Sequence, residues 1–204
     1  MSNTITTIEQ LEELYPGKLS RATTEKETPV ITPEYRRLIE AASFFAIASV
    51  GPEGLDCSPR GDPRGFVQIL GDSTIAFPDR RGNNRLDTLR NIVVDPRVAF
   101  LFLIPGLNET LRINGRAHVS TDASLIERFE MGGILPVSVV VVEIETMYFQ
   151  CARALVRSKL WDASSQIDPK TLPTAGQLVK SAMPDFEAEA YDAALKERQA
   201  KTLY

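Results

Sequence analysis

The sequence predicts a mainly β protein, an antiparallel barrel or sandwich with helices before and after it. Three observations carry this prediction. Six or so β-prone runs follow one another between residues 44 and 148. Tight-turn signals separate these runs, and helical patterns dominate only near the two ends of the chain. Strands joined by tight turns form antiparallel sheets, which close into barrels or pack as sandwiches.

The first part of the chain, residues 1–43, is predicted to be helical. Thr7 with Gln10 resembles a capping box. Thr32-Pro33-Glu34 places a capping residue, then proline at the first helical position, then an acid in the first turn. A helix is therefore expected from Pro33 to about Ala42.

The predicted strands are bounded by glycine, proline or aspartate. Phe44–Val50 ends at the turn signal Gly51-Pro52-Glu53-Gly54, and Leu55–Arg60 forms the second arm of this hairpin. The remaining predicted strands are Gly65–Leu70, Thr74–Pro78, Arg97–Ile104, Thr110–Ser120 and Val137–Tyr148. Arg97–Ile104 and Val137–Tyr148 are so uniformly apolar that we expect one face of each to be covered in a dimer.

Two short helices are expected to interrupt the sheet, one from about Asn84 to Val93 and one from about Asp122 to Met131, ending at Gly132-Gly133. After Cys151 the pattern becomes helical again. Thr174–Met183 and Asp185–Lys201 are predicted to be amphipathic helices.

Composition argues against several classes of function. The formal net charge of −4 disfavours a general nucleic-acid binder. Cys57, Cys151 and the single histidine, His118, cannot supply four zinc ligands without distant carboxylates, so no metal is expected and the thiols should be free. The chain starts with a polar, acidic segment, and no apolar run approaches the ~20 residues that span a bilayer. We therefore expect a cytoplasmic protein that binds neither nucleic acid nor membrane.

The loop from Phe77 to Arg85 carries the strongest signal for chemistry. It reads Phe77-Pro78-Asp79-Arg80-Arg81-Gly82-Asn83-Asn84-Arg85 and joins a strand end to a predicted helix start. Backbone N–H groups at a helix N-terminus favour an anion, and arginine adds bidentate phosphate contacts. The loop therefore predicts a phosphate site, and the alternative is a solvated polar loop.

Three other polar stretches each allow two interpretations. The stretch Cys57–Gly65, with Arg60 and Arg64, is a rigid cationic loop or an ordinary turn. Asn108–Ala117 lines a ligand groove or is the solvated side of a sheet. In Cys151–Trp161 the single tryptophan anchors the core or packs on a flat ligand, and the residues alone favour the core.

The order of these pieces resembles the pyridoxamine 5′-phosphate oxidase-like flavoproteins, over about Phe44 to Trp161. In that family an aromatic residue and the two residues after it run along the isoalloxazine ring, and Phe77-Pro78-Asp79 stands there. A Ser-Arg-Lys-like tripeptide then opens a helix and binds the FMN phosphate, and Asn83-Asn84-Arg85 stands there. Asp95-Pro96-Arg97-Val98 matches the turn that leads into an apolar strand.

Later pieces of the chain continue the resemblance and also depart from it. Thr110 stands where the family has a flavin-contacting glutamine, and Gly115-Arg116-Ala117 matches a Gly-Lys-Ala-like segment. The runs SPRGD, PDRRGNNR, FLIPGLNETLRINGRA and CARALVRSKLW resemble an FMN-dependent subgroup. The chain lacks the Tyr…Arg…Ser set and the Arg-Leu-x-Pro-like tail of true pyridoxamine-phosphate oxidases, so pyridoxine phosphate is not its expected substrate.

The resemblance implies an antiparallel split β-barrel that forms a homodimer, with FMN in a cleft between the subunits. It divides the chain into an N-terminal helical segment (1–43), an FMN-binding split-barrel domain (44–161) and a C-terminal helical extension (162–204). The implied activity is that of an FMN-dependent oxidoreductase acting on an unknown small molecule. No catalytic residue is assigned, because the flavin supplies the hydride or electron chemistry. The alternatives are a flavin or haem carrier or sensor on the same barrel and, less favoured by the acidic charge, an RNA-binding barrel that uses Arg80–Arg90.

The resemblance also implies a set of cofactor contacts. Arg85, Asn84 and Asn83 would bind the phosphate, with Arg60 or Arg64 as a second cation. The backbone of Pro78 and Asp79 would follow the ring, and Thr110 would meet its polar edge. The other implied cofactor residues are Gln68 and, from the partner subunit, Arg153 and Trp161.

Overall fold

The computed structural model describes residues 3–82 and 84–204. Its strands are β1 (Phe44–Gly51), β2 (Gly54–Gly61), β3 (Gln68–Ile69), β4 (Thr74–Asp79), β5 (Arg97–Phe102), β6 (Thr110–Ser120) and β7 (Ser138–Gln150). They form one seven-stranded sheet in the order β2-β1-β5-β6-β7-β4-β3. Every neighbouring pair is antiparallel. The predicted fold class, mainly β with flanking helices, is confirmed.

The sheet curls around an aromatic core. β1 and β4 stand four places apart in the strand order, yet Phe45 on β1 and Phe77 on β4 have ring centroids 5.0 Å apart. Phe45 is fully buried and also contacts Phe66, Phe100 and Phe102. Because rings from strands that are distant in the strand order meet at Phe45, the sheet must curve like a barrel. The barrel remains split between its two edge strands, β2 and β3.

The strand pattern of β6 follows from its alternating sequence. Leu111, Ile113 and Ala117 point into the core, and Arg116 and His118 are exposed. A bulge between Asn114 and Gly115 shifts the register against β7. A Cβ on Gly115 would lie 2.2 Å from the carbonyl oxygen of Glu143, so this crossing of the strands requires glycine.

Both faces of the first part of β7, from Ser138 to Val142, are covered within one chain. Val140 and Val142 belong to the main core, whereas Val139 and Val141 pack against Phe129 in a second apolar cluster. The expectation that this strand needs a partner to cover one face is therefore wrong. Phe129 and the helix that precedes it supply the second layer.

The helices of the two described ranges are α1 (Ile8–Leu14), α2 (Arg21–Thr24), α3 (Pro33–Ala41), α4 (Asp87–Val94), α5 (Ala123–Glu127), α6 (Arg153–Ser158), α7 (Ala175–Ala182), α8 (Ala188–Ala193) and α9 (Leu195–Thr202). The Thr7 and Thr32 caps are confirmed, since each side chain accepts a backbone N–H at its helix start. None of these helices has the length and apolar character that crossing a membrane would require.

Residues 1–43 are predicted to be helical, and the described part of this range, 3–43, contains α1, α2 and α3. Between α2 and α3, Thr28 pairs with Met147 as an isolated β-bridge. The predicted strand Gly65–Leu70 shrinks to β3, since Gly65 turns the chain with a φ of +89°.

Two predicted helices are also shorter than expected. Asp122–Met131 reduces to α5, because Phe129 turns inward to the second apolar cluster and Gly132 and Gly133 adopt positive φ. The predicted helix Asp185–Lys201 divides into α8 and α9, which meet at Ala194.

Candidate functional site

A cleft of about 590 Å³ opens where β4 ends and β7 begins. Two kinds of side chain dominate its lining, cationic and apolar. The arginines are Arg60, Arg80, Arg81 and Arg85, and the apolar residues are Leu86, Leu89, Ile134, Leu135, Pro136 and Val137. Asp79, Gly82, Asn84, Ser138 and Tyr204 complete the lining. Such a cleft suits a ligand that carries both an anionic group and an apolar body.

Arg60 is a half-buried cation of this cleft. It lies at the end of β2, and its side chain is 29% exposed. One guanidinium nitrogen, Nη2, lies 3.7 Å from Oδ1 of Asp79, the last residue of β4. Its Nε is buried and has no hydrogen-bond partner among the described residues. A buried donor without a partner is costly, so an acceptor brought by a ligand would be favourable here.

Asp79 is affected by its surroundings in two opposing ways. Burial raises the pKa of its carboxyl group, and the positive charge of Arg60 counteracts part of this rise. The Asp79 carboxylate and the Arg60 guanidinium thus form an ion pair at the cleft.

Arg80 is held by a buried network beneath the cleft. Its Nε donates to Oδ2 of Asp62 and its Nη1 donates to the carbonyl oxygen of Phe129, both at 2.7 Å. The Asp62 side chain is only 3% exposed. Its other oxygen accepts a hydrogen bond of 3.1 Å from the hydroxyl of Tyr204. This network fixes one arginine in place and joins Tyr204, two residues after the end of α9, to the barrel.

The predicted helix start at Asn84 is wrong, because α4 begins at Asp87. Asn84 and Leu86 have φ values of 59° and 61°, and these left-handed conformations keep the chain out of the helix until Asp87. Asn84 and Arg85 therefore belong to a loop that lines the cleft, and Asn83 lies outside the described residues.

Carboxylates of the chain itself lie at the start of α4. Asp87 is its first residue and accepts a hydrogen bond from Nε of Arg85. Asp56 accepts a hydrogen bond of 2.6 Å from the hydroxyl of Thr88. These carboxylates complement the positive end of the helix dipole. Any anion in the cleft thus depends on arginine side chains more than on this helix terminus.

The predicted site residues fall into two groups. Arg60, Asp79, Asn84 and Arg85 line the cleft. Pro78 precedes Asp79 and is buried, whereas Arg64 is exposed and is not part of the lining.

The second group lies elsewhere in the chain. Thr110 is buried at the start of β6 and pairs with Gln150, the last residue of β7, whereas Ser138 at the other end of β7 lines the cleft. A 13-residue strand spans about 40 Å, so these two ends of β7 are far apart. Gln68 donates to the carbonyl oxygen of Arg128 at 2.8 Å.

Trp161 lies with this second group. Its Nε1 donates to the carbonyl oxygen of Leu107, in the loop before β6, at 2.7 Å. The side chain is half-buried and is not part of either apolar cluster, so the core position favoured by the residues alone is wrong. Arg153 is exposed at the start of α6. A single chain does not bring this group to the cleft.

Sequence reasoning missed Asp62, Tyr204 and the apolar segment from Ile134 to Val137. Asp62 and Tyr204 are separated by 142 positions, and no local pattern connects them. The apolar segment did carry a signal, because Ile134–Val137 is an unbroken apolar run directly after Gly132-Gly133. In the structure Val137 is 83% exposed. Within the described ranges, no three His, Cys, Asp or Glu side chains gather as a metal site would require, and Cys57 and Cys151 are free and exposed.

Comparison with known proteins matches residues 31–151 to a family model described as Pyridoxamine 5′-phosphate oxidase. Among solved structures, HupZ of Group A Streptococcus is 20% identical, with a TM-score of 0.47, over 58% of this chain and 93% of its own. The FAD binding protein of Mycobacterium smegmatis is 12% identical, with a TM-score of 0.39, over 59% of this chain and 95% of its own. General Stress Protein 26 of Bacillus anthracis is 13% identical, with a TM-score of 0.42, over 56% and 88%. Among curated proteins, none matches the chain.

Proposed function

Since the chain belongs to the pyridoxamine 5′-phosphate oxidase family, we propose that its cleft binds FMN and that the protein is an FMN-dependent oxidoreductase. The observation that carries the proposal is the buried Nε of Arg60, a donor without a partner among the described residues, in a side chain that lines the cleft. A phosphate oxygen supplies the acceptor that this donor lacks, in a charge-assisted hydrogen bond.

The rest of the lining fits the same ligand. FMN combines a phosphate dianion with a flat, largely apolar ring system. Arg81 and Arg85 place further positive charge at the cleft, and Leu86, Leu89 and Pro136 offer apolar surface to a ring. Arg80 is committed to Asp62 and to the carbonyl oxygen of Phe129, so we assign it to shaping the cleft rather than to the phosphate. When bound, FMN supplies hydride or electron transfer.

We further propose that the complete site is formed by a homodimer. Trp161 and Thr110 lie at the far end of β7 from the cleft, and they can meet a ligand there only if a second chain brings them. The surface beside the cleft supports this arrangement, since Ile134, Leu135 and Val137 are exposed at its rim. Exposed apolar side chains next to a ligand cleft are typical of a surface that a partner covers.

The substrate is proposed only by class, as a small molecule that meets the exposed side of the flavin. The sequence lacks the residues with which true pyridoxamine-phosphate oxidases hold the substrate phosphate, so pyridoxine phosphate is not proposed.

The direct test is the absorption spectrum and FMN affinity of the purified protein. The proposal expects flavin absorption bands, or saturable binding when the apoprotein is titrated with FMN, and reduction of the bound flavin by NADPH or NADH. Bound flavin that neither NADPH, NADH nor any tested substrate reduces would instead indicate a carrier or sensor. Absence of FMN binding would contradict the proposal as a whole.

A further inference from the structure

Among the described residues that line the cleft, Tyr204 is the one aromatic side chain, and it comes from outside the barrel. Tyr204 lies two residues after the end of α9 and is half-buried. Its hydroxyl donates to Asp62 at 3.1 Å, and its ring lies 5.6 Å from the guanidinium carbon of Arg80. A ring beside a guanidinium group gains a cation–π contribution, which helps to hold the Tyr204 ring against Arg80.

The hydroxyl of Tyr204 is bonded to a carboxylate that is itself buried and fixed. The Asp62 side chain is 3% exposed and divides its two oxygens between Arg80 and Tyr204. Burial and the Asp62 carboxylate both raise the pKa of the Tyr204 hydroxyl, so it remains protonated and donates at neutral pH. Arg80 and Tyr204 therefore both fix the orientation of the Asp62 carboxylate to which they are bonded.

The helices that carry Tyr204 pack chiefly on one another. α7 meets α8 at Gly176, where an added Cβ would lie 2.4 Å from the carbonyl oxygen of Ala188. Tyr191 of α8 packs on Phe186 and beneath Arg198 of α9. The contact of Tyr204 with Asp62 is thus a specific link between this helical extension and the barrel.

We propose that Tyr204 is a cofactor-contacting residue and that docking of the segment after α9 is coupled to occupation of the cleft. The inference rests on the proposed FMN site. A flat ligand that enters the cleft meets the Tyr204 ring as part of the wall, and an aromatic contact of this kind stabilises both partners. Coupling between two binding events is reciprocal. If docked Tyr204 increases the affinity for FMN, bound FMN therefore stabilises the docked position of Tyr204 by the same free energy.

The test combines FMN titration with limited trypsin digestion of the full-length chain. Lys196, Arg198 and Lys201 of α9 are the cleavage sites that report on docking. In the wild type, FMN should slow cleavage in α9. Tyr204→Ala should weaken FMN binding roughly twofold to tenfold and reduce this protection by a similar factor. Tyr204→Phe keeps the ring, so it should retain most of the FMN affinity and serves as the second variant if Tyr204→Ala unfolds.

Tyr15→Ala is the matched control, because Tyr15 is 74% exposed and lies outside the cleft. Unchanged or tighter FMN binding by Tyr204→Ala would overturn the inference, and tighter binding would mean that Tyr204 obstructs the cleft. Failure of the wild type itself to bind FMN is a different result, since it contradicts the proposed function as well.

Discussion

The two ends of β7 differ in how their polar groups are satisfied. At the Ser138 end, the cleft holds four arginines, and the buried Nε of Arg60 has no partner among the described residues. At the Gln150 end, Lys26 donates to the carbonyl oxygen of Phe149 at 2.9 Å, and Trp161 donates to that of Leu107. The cleft end thus has a hydrogen-bond donor available for an anion. At the far end, the side chains of Lys26 and Trp161 already donate to backbone carbonyl groups of the same chain.

This difference suggests separate tasks for the two ends. The cleft end would bind the charged part of a ligand, and the far end would offer a preformed surface to the partner's cleft. Exposed Val156 and Leu160 lie close to Trp161 in sequence, and they give that surface an apolar character. Substitutions at both ends should therefore weaken FMN affinity, and the loss of Arg60 at the cleft end should weaken it most.

The largest effect is expected from Arg60→Ala. The loss of one charge-assisted contact to phosphate, worth ~1.5–3 kcal/mol, should weaken FMN affinity roughly tenfold to more than a hundredfold. Arg64→Ala is the matched control, because Arg64 is a nearby exposed arginine outside the cleft lining. Fluorescence titration of FMN into the two apoproteins makes the comparison. Equal losses in both variants would mean that general charge, rather than the cleft, attracts the ligand.

A smaller effect is expected from Trp161→Ala. If its ring covers the partner's flavin, FMN affinity should fall roughly twofold to tenfold. Loss of its hydrogen bond to Leu107 should lower the free energy of unfolding of the apoprotein by only about 1 kcal/mol.

Trp161→Phe separates these two roles, since it keeps a ring but removes the donor. A loss of apoprotein stability in Trp161→Ala of several kcal/mol, with normal FMN affinity, would assign Trp161 a purely structural role.

Arg85→Ala should have a weaker effect than Arg60→Ala. The Arg85 side chain is 78% exposed and already bonded to Asp87, and exposed ion pairs contribute only ~0–1 kcal/mol. We expect FMN affinity to fall by no more than roughly fivefold. A loss as large as that of Arg60→Ala would show that the loop before α4 carries the phosphate, as the sequence motif alone suggests.

Asp79→Asn should have the smallest effect, visible as a pH dependence of stability. Because burial raises the pKa of Asp79 above 3.8, the folded state binds a proton more tightly than the unfolded state does. The stability that this group contributes is present below pH 3.8 and is lost as the pH rises through the raised pKa.

The asparagine does not ionise, so Asp79→Asn should gain stability relative to the wild type as the pH rises from about 4 to about 8. Urea unfolding of both proteins across this range gives the difference. A difference that stays constant or decreases with pH would mean that Arg60 holds the carboxylate more strongly than burial opposes it.

The sequence predicts the parts of this molecule that depend on local pattern. The alternation in β6, the hairpin of β1 and β2 and the Thr32 cap all follow from neighbouring residues, and each is confirmed. The start of α4 was misplaced because Asn84 and Leu86 adopt left-handed conformations that no local pattern reveals. The Asp62–Arg80–Tyr204 network was missed for a different reason, since it depends on contacts between distant segments.

The account depends most on whether two chains build one FMN site, and a subunit-mixing experiment tests this directly. One variant carries Arg60→Ala and Arg85→Ala at the cleft, and the other carries Arg153→Ala and Trp161→Ala at the far end. Each alone should bind clearly less FMN than the wild type at an FMN concentration close to the wild-type dissociation constant. Differently tagged chains, mixed in equal amounts and reassembled, should regain roughly a quarter of the wild-type sites, because each mixed dimer has one intact site. If tag capture shows mixed dimers but no recovery of FMN binding, or if the flavin-bound wild type sediments as a monomer, the two-chain site is contradicted.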